Sequence, residues 1–235
     1  MPFLRGYLQN WDQRTSDRVH HFLANSRHVA KRIEHYYRRQ STVIHPPVES
    51  GRFAPAGQVE NYYLVVSALV PYKRVDLAVL ACGRMGRQLK VVGTGPELEA
   101  LQSLAGPTVE FLGWQPDAAL PGLYARARAL IFTGEEDFGI TPLESMASGR
   151  PVLAFARGGV LETVVPPGDT EGRAATGLYF GEQSVPALAT ALEELEARLE
   201  TFEPQSLVAH AAGFDTKVFE ERVGAFLAQV LEQSR

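Results

Sequence analysis

The sequence predicts an α/β fold built on a doubly wound parallel sheet of the Rossmann-like kind, and three observations carry that prediction. Six short apolar runs recur along the middle of the chain: YYLVVS at 62–67, LKVVG at 89–93, VEFLG at 109–113, ALIFT at 129–133, PVLAF at 151–155 and GLYF at 177–180. Their hydrophobicity is continuous, not alternating, which suits strands covered on both faces. The stretches between them, DLAVLACGRM, PELEALQSL, DAALPGLYARA, TPLESMAS and GVLETVV, carry helical patterns. Each crossover helix must run back over the sheet before the next parallel strand begins, so the helices supply that cover. Ligands of such a sheet sit at the carboxyl ends of its strands, where strand-to-helix loops open a crevice.

After the last strand, ALATALEELEARLE places Leu188, Leu192, Leu195 and Leu199 on one helical face. TKVFEERVGAFLAQVLEQ does the same with Val218, Phe219, Val223, Phe226, Val230 and Leu231. Both stripes are expected to be packing surfaces. The first 45 residues differ in character. HFLANS and TVIH read as strands, Ser26 as the N-cap of a basic amphipathic helix between them, and Pro46–Pro47 as the stop. They look like the end of something larger. The expected organisation is a remnant of a preceding acceptor domain over 1–42, a ligand-binding α/β domain over 43–205 and a helical tail over 206–235.

With 235 residues, 45% hydrophobic and 21% charged, the chain can bury a sizeable core, and this composition excludes a largely disordered protein. No apolar run approaches the roughly 18 residues that a membrane-spanning helix needs. The single cysteine, Cys82, excludes an internal disulfide, and the N-terminus lacks a signal peptide's apolar stretch, so a reducing cytoplasm is the expected setting. Residues 1–40 carry eight basic and three acidic side chains, +5, which leaves −9 for the remainder of a chain of net charge −4. A solvated helix face explains that basic segment; peripheral contact with the anionic inner face of a membrane is the alternative. No nucleic-acid partner is expected.

Four loops are candidates for chemistry. In VSALVPYKRVDLAV (66–79), Lys73 and Arg74 stand between a strand end and a helix start, where cations and exposed amides together attract phosphate; a solvated turn is the plainer alternative. In VVGTGPELEA, Gly93 and Gly95 follow a strand, but Leu98 stands where the dinucleotide fingerprint needs its third glycine, so a tight turn explains them equally well. In GEEDFGITPLE (134–144), Thr141 reads as the N-cap and Pro142 as the first residue of a helix that ends at Gly149. Glu144 then falls in the first turn and Glu136 at the loop's far edge, both bordering the amides of Gly139, Ile140 and Thr141. Those amides suit a diphosphate, and a neighbouring carboxylate can accept hydrogen bonds from sugar hydroxyls. The plainer alternative leaves Glu144 balancing the helix dipole and Glu135, Glu136 and Asp137 as a solvated acidic loop. In FARGGVLETV, Gly158 and Gly159 let the backbone approach a ligand closely, or serve a turn. The six histidines show no metal spacing with Cys82, and no Asp-x-Asp pair is present to hold a divalent ion on a diphosphate; neither metal nor cofactor is expected.

Together SALVPYKRVDLAV, VVGTGPE, FLGW and above all EEDFGITPLESMASGRPVLAFARGGVLETV resemble the retaining GT-B glycosyltransferases of family 4, which include many mannosyltransferases. The resemblance covers residues 43–235, the family's nucleotide-sugar-binding C-terminal domain, while DRVHHFLANSRHVAKRIEHYY looks like the closing strand and helix of its N-terminal domain. It implies that Glu136 meets the donor sugar, Glu144 the ribose hydroxyls and Lys73 the diphosphate. Ile140 and Thr141 would lie along the nucleotide and Leu112 and Gly113 near the base. Gly95, Arg74, Phe138 and Gly139 complete the implied donor-binding set, with Glu136 and Lys73 as the catalytic pair. Many members carry an arginine five residues before the lysine; here that position is Ala68, and Arg74 is expected to compensate.

The implied reaction is retaining transfer of a hexose from a GDP- or UDP-linked donor to a glycan or polyprenyl-linked acceptor, as in polysaccharide biosynthesis. Mannose is favoured by the resemblance of the LVPYKR and EEDFGI segments to mannosyl-transferring members of that family. Departure of a nucleoside diphosphate needs fixed donors where negative charge develops, and the oxocarbenium character of the sugar calls for a nearby carboxylate, a role open to Glu136 without its acting as a covalent nucleophile. Two other classes are weighed beside this one: a non-catalytic nucleotide-sugar-binding module that needs an N-terminal domain on another chain, and a sugar-nucleotide epimerase.

Overall fold

A computed structural model describes residues 2–233, with side chains from residue 4. The N-terminal part comprises helix α1 (Pro2–Thr15), strand β1 (Phe22–Ala24), helix α2 (Arg27–Tyr37) and strand β2 (Ser41–Val43). There follow β3 (Tyr63–Val66), α3 (Val75–Met85), β4 (Leu89–Val92), α4 (Leu98–Leu104), β5 (Val109–Gly113), α5 (Leu120–Arg126), β6 (Leu130–Phe132), α6 (Ile140–Ala147), β7 (Val152–Phe155) and β8 (Gly177–Phe180). Helices α7 (Val185–Arg198), α8 (Pro204–Ala212) and α9 (Thr216–Gln233) complete the described chain.

Strands β3 to β8 form one six-stranded parallel sheet in the order β5-β4-β3-β6-β7-β8. The chain winds outward from β3, returns to lay β6 on the other side of β3, and winds outward again. Right-handed crossovers then put the helices of the two halves on opposite faces, so the loops after β3 and β6 diverge and leave a crevice between them. The central strands are buried throughout, from Tyr63 to Val65, Leu130 to Phe132 and Val152 to Phe155. Each such Leu, Ile or Phe contributes about 1.5–3 kcal/mol by leaving water. Helix α3 packs with α7, and α6 with α8. Cys82 of α3 is fully buried, and burial pushes its thiol up to about 12.

The short N-terminal strands pair in parallel around α2, with Phe22 opposite Ser41. Ser26 caps α2 as expected, its Oγ accepting from the Val29 amide at 3.0 Å. Among the described residues, no helix is long and apolar enough to cross a membrane.

Several elements differ from expectation. The apolar stripe of α9 is only half-buried: Val218, Phe219, Val223 and Phe226 are partly covered, none is fully buried, and Leu231 is exposed. Periodicity records an amphipathic face, not how closely it is covered, and here one neighbour is His21, edge-on to Phe226 at 5.9 Å. By contrast, Leu188, Leu192 and Leu195 of α7 are fully buried. Helix α8 was unforeseen because its nine residues carry few large apolar side chains, yet Leu207 and Ala211 sit in the core and the expected boundary at 205 falls inside it. GVLETVV makes only one 3-10 turn, Gly159–Glu162, since Val165 leaves the helical path to exchange hydrogen bonds with Thr176. Helix α1 was unforeseen too, and its Leu4, Tyr7, Leu8 and Trp11 are exposed.

Candidate functional site at the sheet's switch point

The crevice is walled by the loop after β3 and the loop after β6. The first ends in a 3-10 turn, Pro71–Lys73, after which Arg74 takes the left-handed conformation with φ of 51° and lets α3 begin. The second loop grips this turn from the side. Thr133 Oγ1 donates to the Lys73 carbonyl at 2.7 Å, and a Cβ on Gly134 would stand only 3.0 Å from Lys73 Cα. Held at its backbone, Lys73 forms an ion pair with Glu136, both side chains largely buried.

The acidic loop is fixed from below by Gly158 and Gly159. Gly159 N donates to Glu136 O at 2.8 Å, and an added Cβ would stand 2.3 Å from Asp137 O and 2.4 Å from Phe138 Cα. The double glycine therefore admits the close approach of another backbone, that of the acidic loop. Each of the loop's consecutive carboxylates faces a basic side chain: Glu135 lies 3.9 Å from the His28 ring, Glu136 pairs with Lys73, and Asp137 meets Arg32 at 2.6 Å. Phe138 is buried, with its ring 5.4 Å from that of His45 at an interplanar angle of 21°.

Helix α6 starts two residues earlier than the sequence reading placed it. Gly139, at φ of 87°, is the N-cap, Ile140 is the first helical residue, and Thr141 makes no cap hydrogen bond. A glycine able to adopt positive φ sets the turn before threonine's capping preference can act. Glu144 consequently falls beyond the first turn. The first amides of α6 lack helical partners and carry the positive end of its dipole.

Lys73, Glu136, Phe138, Gly139, Ile140 and Thr141 line one cleft of about 760 Å³, together with Ala68, Tyr72 and Asn25. Other expected site residues lie outside it. Arg74 donates to both carboxylate oxygens of Asp76, at 3.0 and 2.9 Å, and lines the adjoining pocket with Gln183. Gly95 serves packing: its Cβ would stand 2.3 Å from Leu69 O. Leu112 and Gly113 end β5, where Gly113 O accepts from Gly93 N at 2.8 Å. Glu144 points to α5, accepting from the Tyr124 hydroxyl at 2.7 Å. Burial raises its pKa above the ordinary carboxylate range despite that hydrogen bond. His45, Glu162 and Tyr124 were missed as site residues, and no local sequence signal marks them. Arg32 was legible only as one charge in the basic segment.

The family described as "Glycosyl transferases group 1" matches residues 52–202, which include both walls of the crevice. A GDP-mannose-dependent alpha-(1-6)-phosphatidylinositol monomannoside mannosyltransferase of Mycolicibacterium smegmatis is 29% identical over 89% of this chain and 61% of its own length. A D-inositol 3-phosphate glycosyltransferase of Mycobacteroides abscessus is 28% identical over 91% of this chain and 52% of its own length. The chain thus spans about half to three fifths of these two relatives. Among solved structures, Anabaena HepE in complex with UDP and glucose superposes with a TM-score of 0.79 at 19% identity, covering 94% of this chain and 66% of that one. Sucrose-phosphate synthase from Thermosynechococcus elongatus gives 0.77 at 21% identity, covering 90% and 58%. These likenesses place the parallel sheet with the C-terminal domain of GT-B glycosyltransferases. With the family match extending over well more than half of its length, the chain belongs to the group 1 glycosyl transferases.

Proposed function

We propose that the chain is the donor-binding part of a retaining mannosyltransferase that takes its sugar from GDP-mannose and passes it to a glycan or lipid-linked acceptor. The observation that carries this reading is the Lys73–Glu136 pair, set in one cleft with the start of α6. The ammonium of Lys73 and the amides at the start of α6 would bind the diphosphate and stabilise the charge that develops as the bond to the anomeric carbon lengthens. Once the diphosphate takes over Lys73, the Glu136 carboxylate is released to the sugar, whose hydroxyls and oxocarbenium character it suits. Glu144 would receive the ribose hydroxyls. No metal is invoked, because Lys73 and the helix amides supply the positive charge. Relatives named as GDP-mannose-dependent support the choice of donor.

Calorimetry with GDP, UDP and GDP-mannose, followed by measurement of GDP release from GDP-mannose with a polyprenyl-linked or glycan acceptor, tests the proposal. Binding of GDP with release dependent on acceptor is the expected result; a wild-type chain that binds none of these ligands overturns it. A partner-dependent binding module is favoured by one observation, the exposed Leu4, Tyr7, Leu8 and Trp11 of α1. Turnover by the chain alone would exclude that second reading.

A further inference from the structure

Glu162 closes the 3-10 turn that follows Gly158 and Gly159, and that turn is bonded to the acidic loop through the Glu136 carbonyl. From this base its carboxylate reaches into the N-terminal segment. Oε2 accepts from the Arg27 amide at 3.0 Å and lies 2.9 Å from His45 Nε2, while Oε1 accepts from the His28 amide at 3.2 Å. The side chain is only 10% exposed. The two amides are the first of α2, which a helix leaves without internal partners, and Ser26 takes the next at Val29. A carboxylate here also meets the positive end of the helix dipole.

What α2 carries gives this anchor its consequence. His28 and Arg32, one helical turn apart, face Glu135 and Asp137, and the His45 ring lies against Phe138. All of these contacts end on the loop that holds Glu136. We propose that Glu162 is a positioning residue: by tying α2 and His45 to the base of the acidic loop, it keeps Glu136 opposite Lys73. Its importance for a donor rests on the function proposed above, but its geometry is testable without any ligand.

Hydrogen exchange on the full chain supplies the first test. Glu162→Ala should speed exchange at amides 27–29 and also at 136–139, leaving β7 unchanged. Faster exchange confined to 27–29 would mean a helix cap and nothing more, and overturns the inference. Calorimetry with GDP and UDP is the second test: Glu162→Ala should weaken binding by about tenfold, within the cost of a modestly misplaced site. Glu162→Gln, which keeps one acceptor oxygen, should recover part of that loss; no recovery and no initial loss each count against positioning. Should Glu162→Ala not fold, His45→Phe keeps a ring against Phe138 but drops the bond to Glu162. It should still loosen 136–139, and unchanged exchange there overturns the proposal. A wild type that binds neither GDP nor UDP would instead sink the proposed function, with the exchange result still deciding the role of Glu162.

Discussion

Lys73 and Glu136 pair across the switch-point crevice, one from each of the two loops that wall it. If Lys73 receives the diphosphate as proposed, that diphosphate must displace Glu136 from it. Replacing the competitor, Glu136→Gln, should tighten GDP binding by up to roughly fivefold, the worth of an ion pair of about 1 kcal/mol. Lys73→Met should weaken it by at least about tenfold, the size of a lost charge-assisted hydrogen bond. Calorimetry reads both, and weaker binding by Glu136→Gln contradicts the competition.

Glu144 is held by Tyr124 outside the cleft that contains Glu136. If it receives ribose, Glu144→Ala should lower GDP affinity by about tenfold, the cost of lost hydrogen bonds to a charged group, and leave inorganic pyrophosphate affinity unchanged. Equal losses for both ligands would mean that the substitution disturbs α6 and does not remove a ribose contact.

Gly159→Ala should destabilise the protein by about 1–3 kcal/mol or more, because overpacking here strikes backbone and not a flexible side chain. Urea denaturation measures the loss. GDP affinity should fall with it, since the displaced segment is the one that carries Glu136; an intact affinity would separate the glycine from the site.

His210 gives a prediction in pH. Its Nε2 donates to the Thr163 carbonyl at 2.7 Å, and burial lowers its pKa. A depressed folded value means that the stabilisation is complete above the unfolded value of about 6.5 and is lost as pH falls through the folded one. Thermal unfolding at pH 7.5 and at successively lower pH should therefore show the wild type losing more stability than His210→Gln. Parallel losses would exclude His210 as the cause.

The sheet was legible because strands buried on both faces must be written as apolar runs, and YYLVVS or PVLAF admits little else. Lys73 and the acidic loop were legible because both sit at strand ends, where an α/β crevice opens. Local signals failed where a backbone conformation or a distant contact decided the outcome. Gly139 overrode Thr141 as the start of α6. Arg74 looked like a phosphate ligand, but Asp76 two residues on takes its guanidinium. The bond between His45 and Glu162 joins residues 117 apart, and no spacing rule reaches that far.

Cys82 is enclosed in α3, where burial pushes its thiol pKa up, and should stay unreactive toward maleimides in the native protein. A cysteine introduced at exposed Ile140 would thus take a fluorophore alone, at the rim of the crevice. Such a reporter would register nucleotide arrival by a change in emission without first deleting any native residue.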